Sequence, residues 1–132
     1  AFGLYTMARL EQFAREVREQ KIALVELLLQ LKRQGKRVVA LSAPAKGNTL
    51  LNYCHLDGSY LEYATEKNPL KIGRFTPGMH LPIYSDDWLS SDKPDVVLIL
   101  AWNFAEEIIA KLGDFRAGGG QCIIPVPKPH IV

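Results

Sequence analysis

Five short apolar runs, at 37–41, 61–65, 81–84, 96–101 and 121–125, are separated by stretches of helical character, and that alternation constrains this chain more than any other feature. Strands joined through helices need crossover connections, and crossovers build a mostly parallel sheet covered on both faces. Helices are expected at 49–55, 85–90 and 104–112, with Asn103 as a cap and the pair Glu106 and Glu107 suited to a first turn. Right-handed crossovers then give an α/β, three-layer Rossmann-like domain with a five-stranded sheet in the order 3-2-1-4-5. Ahead of it, Leu10, Phe13, Val17, Leu24, Leu27, Leu28 and Leu31 recur at helical spacing until Gly35, which predicts a helix over 6–34. At ~1.5 Å per residue that helix is roughly 40 Å long, more than one sheet face needs. Its second half is expected to cover the sheet, and its first half, near 8–19, to contact a neighbouring domain or subunit. The chain divides into this helix, 1–35, and the α/β domain, 36–132.

Composition excludes several function classes. The 132 residues are about one domain's worth, 48% apolar and 23% charged, as in an ordinary globular protein. A formal charge of +2 is too small to suggest nucleic acid, and the basic cluster Lys32, Arg33, Lys36 and Arg37 flanks a turn, as a solvated helix end would. No run of about 20 apolar residues predicts a membrane span, and the N-terminus lacks signal-peptide character. Cys54 and Cys122 lie far apart without metal-ligand spacing, and Ile123 and Ile124 beside Cys122 suggest a buried thiol. A reducing, cytoplasmic setting is the simplest expectation.

The candidate site lies where strands end. Val38-Val39-Ala40-Leu41 runs into Ala43-Pro44-Ala45-Lys46-Gly47-Asn48-Thr49, and a helix N-terminus at the carboxyl end of a parallel strand offers free N–H groups to an anion. Pro44, Ala45, Lys46, Gly47 and Asn48 therefore form a candidate phosphate cradle, although neither G-x-G-x-x-G nor the Walker pattern is present. The same residues also read as a plain α/β turn with Asn48 as N-cap. The order 3-2-1-4-5 sets that turn beside Trp102 and Asn103 at the switch point. Glu66 follows the second strand, where an acidic residue can receive ribose hydroxyls, and Lys71 and Arg74 follow in the same loop. His80 comes after the Pro77-Gly78 turn, with no cysteine or carboxylate neighbours that would make a metal site. No nucleophile elbow or Cys/His pairing is visible, and the pairs Asp86-Asp87 and Glu106-Glu107 sit at expected helix starts. No catalytic residue and no metal ligand is assigned.

A family resemblance is carried by Ser-Ala-Pro-Ala-Lys-Gly-Asn-Thr-Leu-Leu-Asn-Tyr-Cys at 42–54, then Asn68-Pro69-Leu70-Lys71-Ile72-Gly73-Arg74, Pro77-Gly78, Pro82-Ile83, Pro94-Asp95, Ala101-Trp102-Asn103 and Glu107-Ile108. In order and spacing, and over nearly the whole chain, these resemble the C-terminal domain of sugar C-methyltransferases. The resemblance implies one domain of a longer enzyme, which a start at Ala1 fits. It also implies an N-terminal zinc-binding region and a central S-adenosylmethionine-binding domain elsewhere in the polypeptide, with neither cofactor bound here. Such enzymes methylate a carbon of a nucleotide-linked keto-sugar, through proton abstraction beside the carbonyl and attack of the enolate on the methyl group. Glu66 stands where the family commonly has aspartate, which keeps the charge and lengthens the reach.

Substrate-binding residues expected on this chain are Pro44, Ala45, Lys46, Gly47, Asn48, Glu66, Lys71, His80, Trp102 and Asn103, facing a nucleotide-diphosphate sugar and the remaining domains of the same polypeptide. Isolated, the domain is expected to transfer no methyl group. A ligand-free scaffold domain of the same enzyme and an independent nucleotide-binding module are the alternatives. An apolar stripe on the first half of the long helix could pair two copies into a homodimer.

Overall fold

The computed structural model describes residues 2–41, 45–67, 69–126 and 128–132, of which 2–5 and 45–48 are described through the backbone alone. The expected long helix is present as α1, Phe2–Arg33. Leu24, Leu28 and Leu31 repeat at i, i+4 and i+7 on one stripe, and each is at most 4% exposed. Burying a leucine stabilises the fold by about 1.5–3 kcal/mol, so this last third anchors the helix. Gly35, at φ +77°, ends it. The Lys36 N–H reaches the Leu31 carbonyl at 2.9 Å and the Gly35 N–H reaches that of Lys32 at 3.0 Å, a Schellman closure. Toward the other end, Met7, Leu10 and Phe13 stand more than half exposed.

The strands are β1 Val38–Leu41, β2 Ala64–Glu66, β3 Ile83–Ser85, β4 Val96–Ile99, β5 Gln121–Ile124 and β6 His130–Ile131. They form one sheet in the order β3-β2-β1-β4-β5-β6, parallel throughout except for β6, which pairs antiparallel with β5. The expected order 3-2-1-4-5 is thus the order observed, with β6 as an additional edge strand. β2 is shorter than its apolar run, but the ladder to β1 begins earlier, at the Glu62 N–H donated to the Val38 carbonyl.

The helices are α2 Ala45–Tyr53, α3 Trp88–Asp92, α4 Ala105–Lys111 and α5 Gly113–Ala117. α2 begins four residues before its expected start, which puts Lys46, Gly47 and Asn48 inside the helix and removes Asn48 from the N-cap position. Asn103 likewise lies within a 3-10 turn, Trp102–Phe104, and the N-cap of α4 is Phe104, which makes no side-chain capping bond. The expected helix 104–112 is present as α4, capped at Leu112, and a further short helix, α5, starts at Gly113.

Alternation along the strands sorts the core into two layers. Val38, Ala40, Val96, Leu98 and Ile123 pack under α1 and α2 through Leu24, Leu28, Leu51 and Cys54. Val39, Leu41, Val97, Ile99 and Cys122 face Leu89 of α3 and Ala105, Ile108 and Ile109 of α4. Lys21 of α1 lies over the Tyr53 ring of α2, 5.1 Å from its centre.

Candidate functional site

β1 and β4 are neighbours, their carboxyl ends tied by the Leu100 N–H to the Leu41 carbonyl at 3.2 Å. From there α2 leaves toward the α1 face and α4 toward the opposite face, because Leu51 and Cys54 belong to one core layer and Ala105 and Ile108 to the other. Such divergence defines the switch point of an open α/β sheet, and the crevice beyond it is where ligands of such sheets bind. The first turn of α2 opens there with N–H groups that have no partner within the helix. Pro44 lies outside the described residues, as do the side chains of Ala45, Lys46 and Asn48, and Gly47 is described through its backbone.

A cleft of about 870 Å³ runs from this point along the α3/α4 face. Its mouth is lined by Leu41, Glu66, Lys67, Asp86, Asp87, Ala101 and Phe104, its sides by α3 and α4, and its far end by Asp95 and Gly118 to Gly120. The cleft exists because α3 has five residues and α4 seven, too few to close over the strands between them. Lys93, in the left-handed conformation at φ 49°, stops α3, and the cap at Leu112 ends α4. Six lining carboxylates, Glu66, Asp86, Asp87, Asp95, Glu107 and Asp114, face three lysines, Lys67, Lys93 and Lys111.

Of the residues expected to bind substrate, Glu66 lines the cleft. It accepts the Lys67 N–H at 2.9 Å, and its other oxygen lies 3.8 Å from the Lys71 ammonium, so the two residues pair with each other. Trp102, half-buried, and Asn103, exposed, sit on the 3-10 turn after β4, at the switch point but off the cleft wall. His80 is elsewhere. Residues 73–83 form a hairpin, closed by the Gly73 N–H to the Ile83 carbonyl and the Ile83 N–H to the Arg74 carbonyl. Its tip, 76–80, lies beyond the amino end of β3, away from the mouth. Buried Thr76 organises that tip, its hydroxyl accepting the Leu81 N–H at 3.0 Å, and His80 is exposed there at φ 55°.

Asp86, Asp87 and Glu107, which in the sequence read as helix-start residues, all line the cleft. The available signal was position: each pair follows a strand that ends at the mouth. Asp86 Oδ1 is buried and has no hydrogen-bond partner.

A second polar cluster occupies the opposite end of the sheet. Arg37, read from sequence as part of a solvated basic helix end, directs its guanidinium at Asp92 with contacts of 2.9 and 2.8 Å and at Glu62 with contacts of 2.7 to 3.2 Å. The Tyr63 hydroxyl donates to Asp92 Oδ2 at 2.6 Å. Burial alone would raise the Asp92 pKa, but the Tyr63 hydroxyl and the Arg37 guanidinium outweigh it and hold the carboxyl below its usual range. Tyr63, buried and bonded to that carboxylate, is pushed well above an ordinary phenol. This cluster clamps the starts of β1 and β2 to the end of α3.

No group of three or more His, Cys, Asp or Glu side chains gathers to hold a metal among the described residues. Cys54 and Cys122 are buried free thiols whose pKa values are raised by desolvation. No described helix is long and apolar enough to cross a membrane.

An open, mostly parallel sheet with a crevice at its switch point, preceded by a long helix, defines a Rossmann-like domain. Residues 1–127 match the family model described as the C-methyltransferase C-terminal domain. The chain is 34% identical over 130 residues to the C-methyltransferase NovU of Streptomyces niveus, an alignment covering 98% of this chain and 31% of that protein. This chain belongs to the C-methyltransferase C-terminal domain family, and it spans about a third of the length of that relative.

Proposed function

We propose that this chain is the substrate-side domain of an S-adenosylmethionine-dependent C-methyltransferase acting on a nucleotide-linked keto-sugar, and that alone it is not catalytic. The observation carrying this is the first turn of α2, which starts at Ala45 and opens its N–H groups at the β1/β4 switch point with Lys46 in that turn. Phosphate oxygens would be held by those N–H groups and by Lys46, while Trp102 and Asn103 across the switch point would contact the nucleoside or the sugar. The 42–48 connection lacks the glycine pattern of a methyl-donor site, and no metal-holding group occurs among the described residues. In this reading the methyl donor, zinc and the base that abstracts the sugar proton belong to the rest of a longer polypeptide, in a cytoplasmic setting.

Titration calorimetry of this chain tests the proposal. A nucleoside-diphosphate sugar and the plain nucleoside diphosphate should bind, S-adenosylmethionine should not, and Lys46→Ala should weaken the first two about tenfold, as loss of one charge-assisted contact does. Unchanged binding in Lys46→Ala, or binding of the methyl donor alone, would overturn it.

A further inference from the structure

The cleft along α3 and α4 is more than the mouth of a switch-point site. It continues past four residues of β4, ~13 Å of strand, to Asp95 and the glycines before β5 at the opposite end of the sheet. A nucleotide held at the first turn of α2 would occupy only the mouth. The rest is a trench, with an apolar floor contributed by Leu89, Ile108, Leu112 and Phe115.

Its charge is opposite in sign to that of the whole chain. Six carboxylates against three lysines leave the lining residues at −3, or −2 once the Lys71 ammonium beside Glu66 is counted, whereas the chain carries +2. That field repels a phosphate-bearing ligand and favours cations. Asp86 Oδ1, buried without a partner, still needs a donor. Long side chains that end in a cation and carry an aliphatic stem suit such a trench, because the stem lies on the apolar floor while the head reaches the carboxylates. Phe104, 59% exposed at the rim, offers an aromatic anchor beside it. About two thirds of the related C-methyltransferase lies outside the matched region, so an enzyme of that length has a large amount of chain available to fill the trench.

We infer that the α3/α4 cleft docks a lysine- or arginine-bearing segment from the rest of the methyltransferase polypeptide. The inference rests on family membership and on the charge of the trench, not on the nucleotide-sugar proposal, and can fail while that proposal stands. Docking here would fix this domain against its neighbours while leaving the first turn of α2 free.

The test uses the full-length enzyme. Carbodiimide cross-linking followed by peptide mapping should join Asp87, Glu107 or Asp114 to lysines outside this domain. Amide hydrogen exchange over 105–117 should speed up at least tenfold in Glu107→Lys/Asp114→Lys, and in the wild type when salt is raised to about 1 M, where the screening length falls to ~3 Å. Both substituted residues are exposed on this chain, so the domain itself should keep its fold. Cross-links confined to this domain, cross-links to a second copy, or exchange that responds to nucleoside-diphosphate sugar but not to salt would each overturn the inference. If the double variant misfolds, the wild-type cross-links and salt response decide alone.

Discussion

Arg37→Ala removes the guanidinium that joins the starts of β1 and β2 to the end of α3. Its contacts are unequal. The Asp92 carboxylate is 18% exposed and both its oxygens face a single guanidinium nitrogen, Nη2, at 2.8 and 2.9 Å, so losing that charged contact costs about 1.5–3 kcal/mol. Glu62 is 37% exposed and Arg37 itself 41%, so water screens that pair and it contributes at most about 1 kcal/mol. The backbone N–H of Arg37, bonded to Asp95 Oδ2 at 2.8 Å, survives the substitution. The expected loss is ~2–3 kcal/mol, a fall in Tm of about 8 °C for a domain of this size. Urea unfolding of wild type, Arg37→Ala, Asp92→Asn and the double variant should give a coupling of about 1.5 kcal/mol. Because the folded-state pKa of Asp92 is depressed, its stabilisation is present above the ordinary carboxylate pKa of about 3.9 and is lost as pH falls through the lower folded value. The penalty of Arg37→Ala should therefore shrink as pH falls below about 4. Coupling below about 0.5 kcal/mol at pH 7, or a penalty independent of pH, would refute the view of this cluster as a clamp.

Two further outcomes follow from backbone and burial. Gly78, at φ +85°, faces the side chain of Asn52 on α2, and a Cβ there would overlap the Asn52 amide oxygen; Gly35, at φ +77°, has open space around it. Gly78→Ala should cost about 2–3 kcal/mol in thermal unfolding and Gly35→Ala about 1 kcal/mol, since only the former adds a clash to the strained backbone, and equal losses would discount the Asn52 contact. Cys54 and Cys122, buried and with raised pKa values, should resist a thiol-specific disulfide reagent at pH 7 until the protein unfolds. Rapid labelling of either in the folded protein would contradict its burial.

What the sequence revealed, and what it hid, follows the range of the interactions involved. The parallel strands were legible because fully buried strands read as continuous apolar runs, and their order follows once right-handed crossovers are wound to both faces of the sheet. Glu66 is easy to locate in the sequence because it is the last residue of β2, at the carboxyl end of a short apolar run. His80 was drawn toward the site by the Pro-Gly turn before it. That turn is the tip of a hairpin whose second arm leads into β3, and only the long-range pairing of Gly73 with Ile83 reveals which end of the sheet it occupies. β6 is two residues of antiparallel edge after a Pro-rich run, with no periodicity to detect. Asn48 looked like a cap because its side chain favours that position, yet the helix had already begun at Ala45. The cleft was the least legible feature. It depends on the stops at Lys93 and Leu112 falling where two helices face each other across the sheet.

The charges at the two ends of the mouth differ in sign, and that difference bears on how one rim could serve two purposes. The first turn of α2 presents N–H groups and a partial positive charge at the switch point, whereas the trench beginning at Glu66, Asp86 and Asp87 is acidic. A diphosphate arriving at the crevice would be drawn to the helix and repelled from the trench, so the field alone would orient a nucleotide-sugar with its phosphates on α2. A basic segment would meet the reverse preference. Phosphate on the helix and cationic side chains in the trench would thus occupy adjoining volumes without competing. Reversing the trench charge should then tighten binding of a nucleoside diphosphate to this chain even as it loosens the fit to the rest of the enzyme. Weaker binding of the diphosphate by Glu107→Lys/Asp114→Lys would mean that the two volumes are not separate.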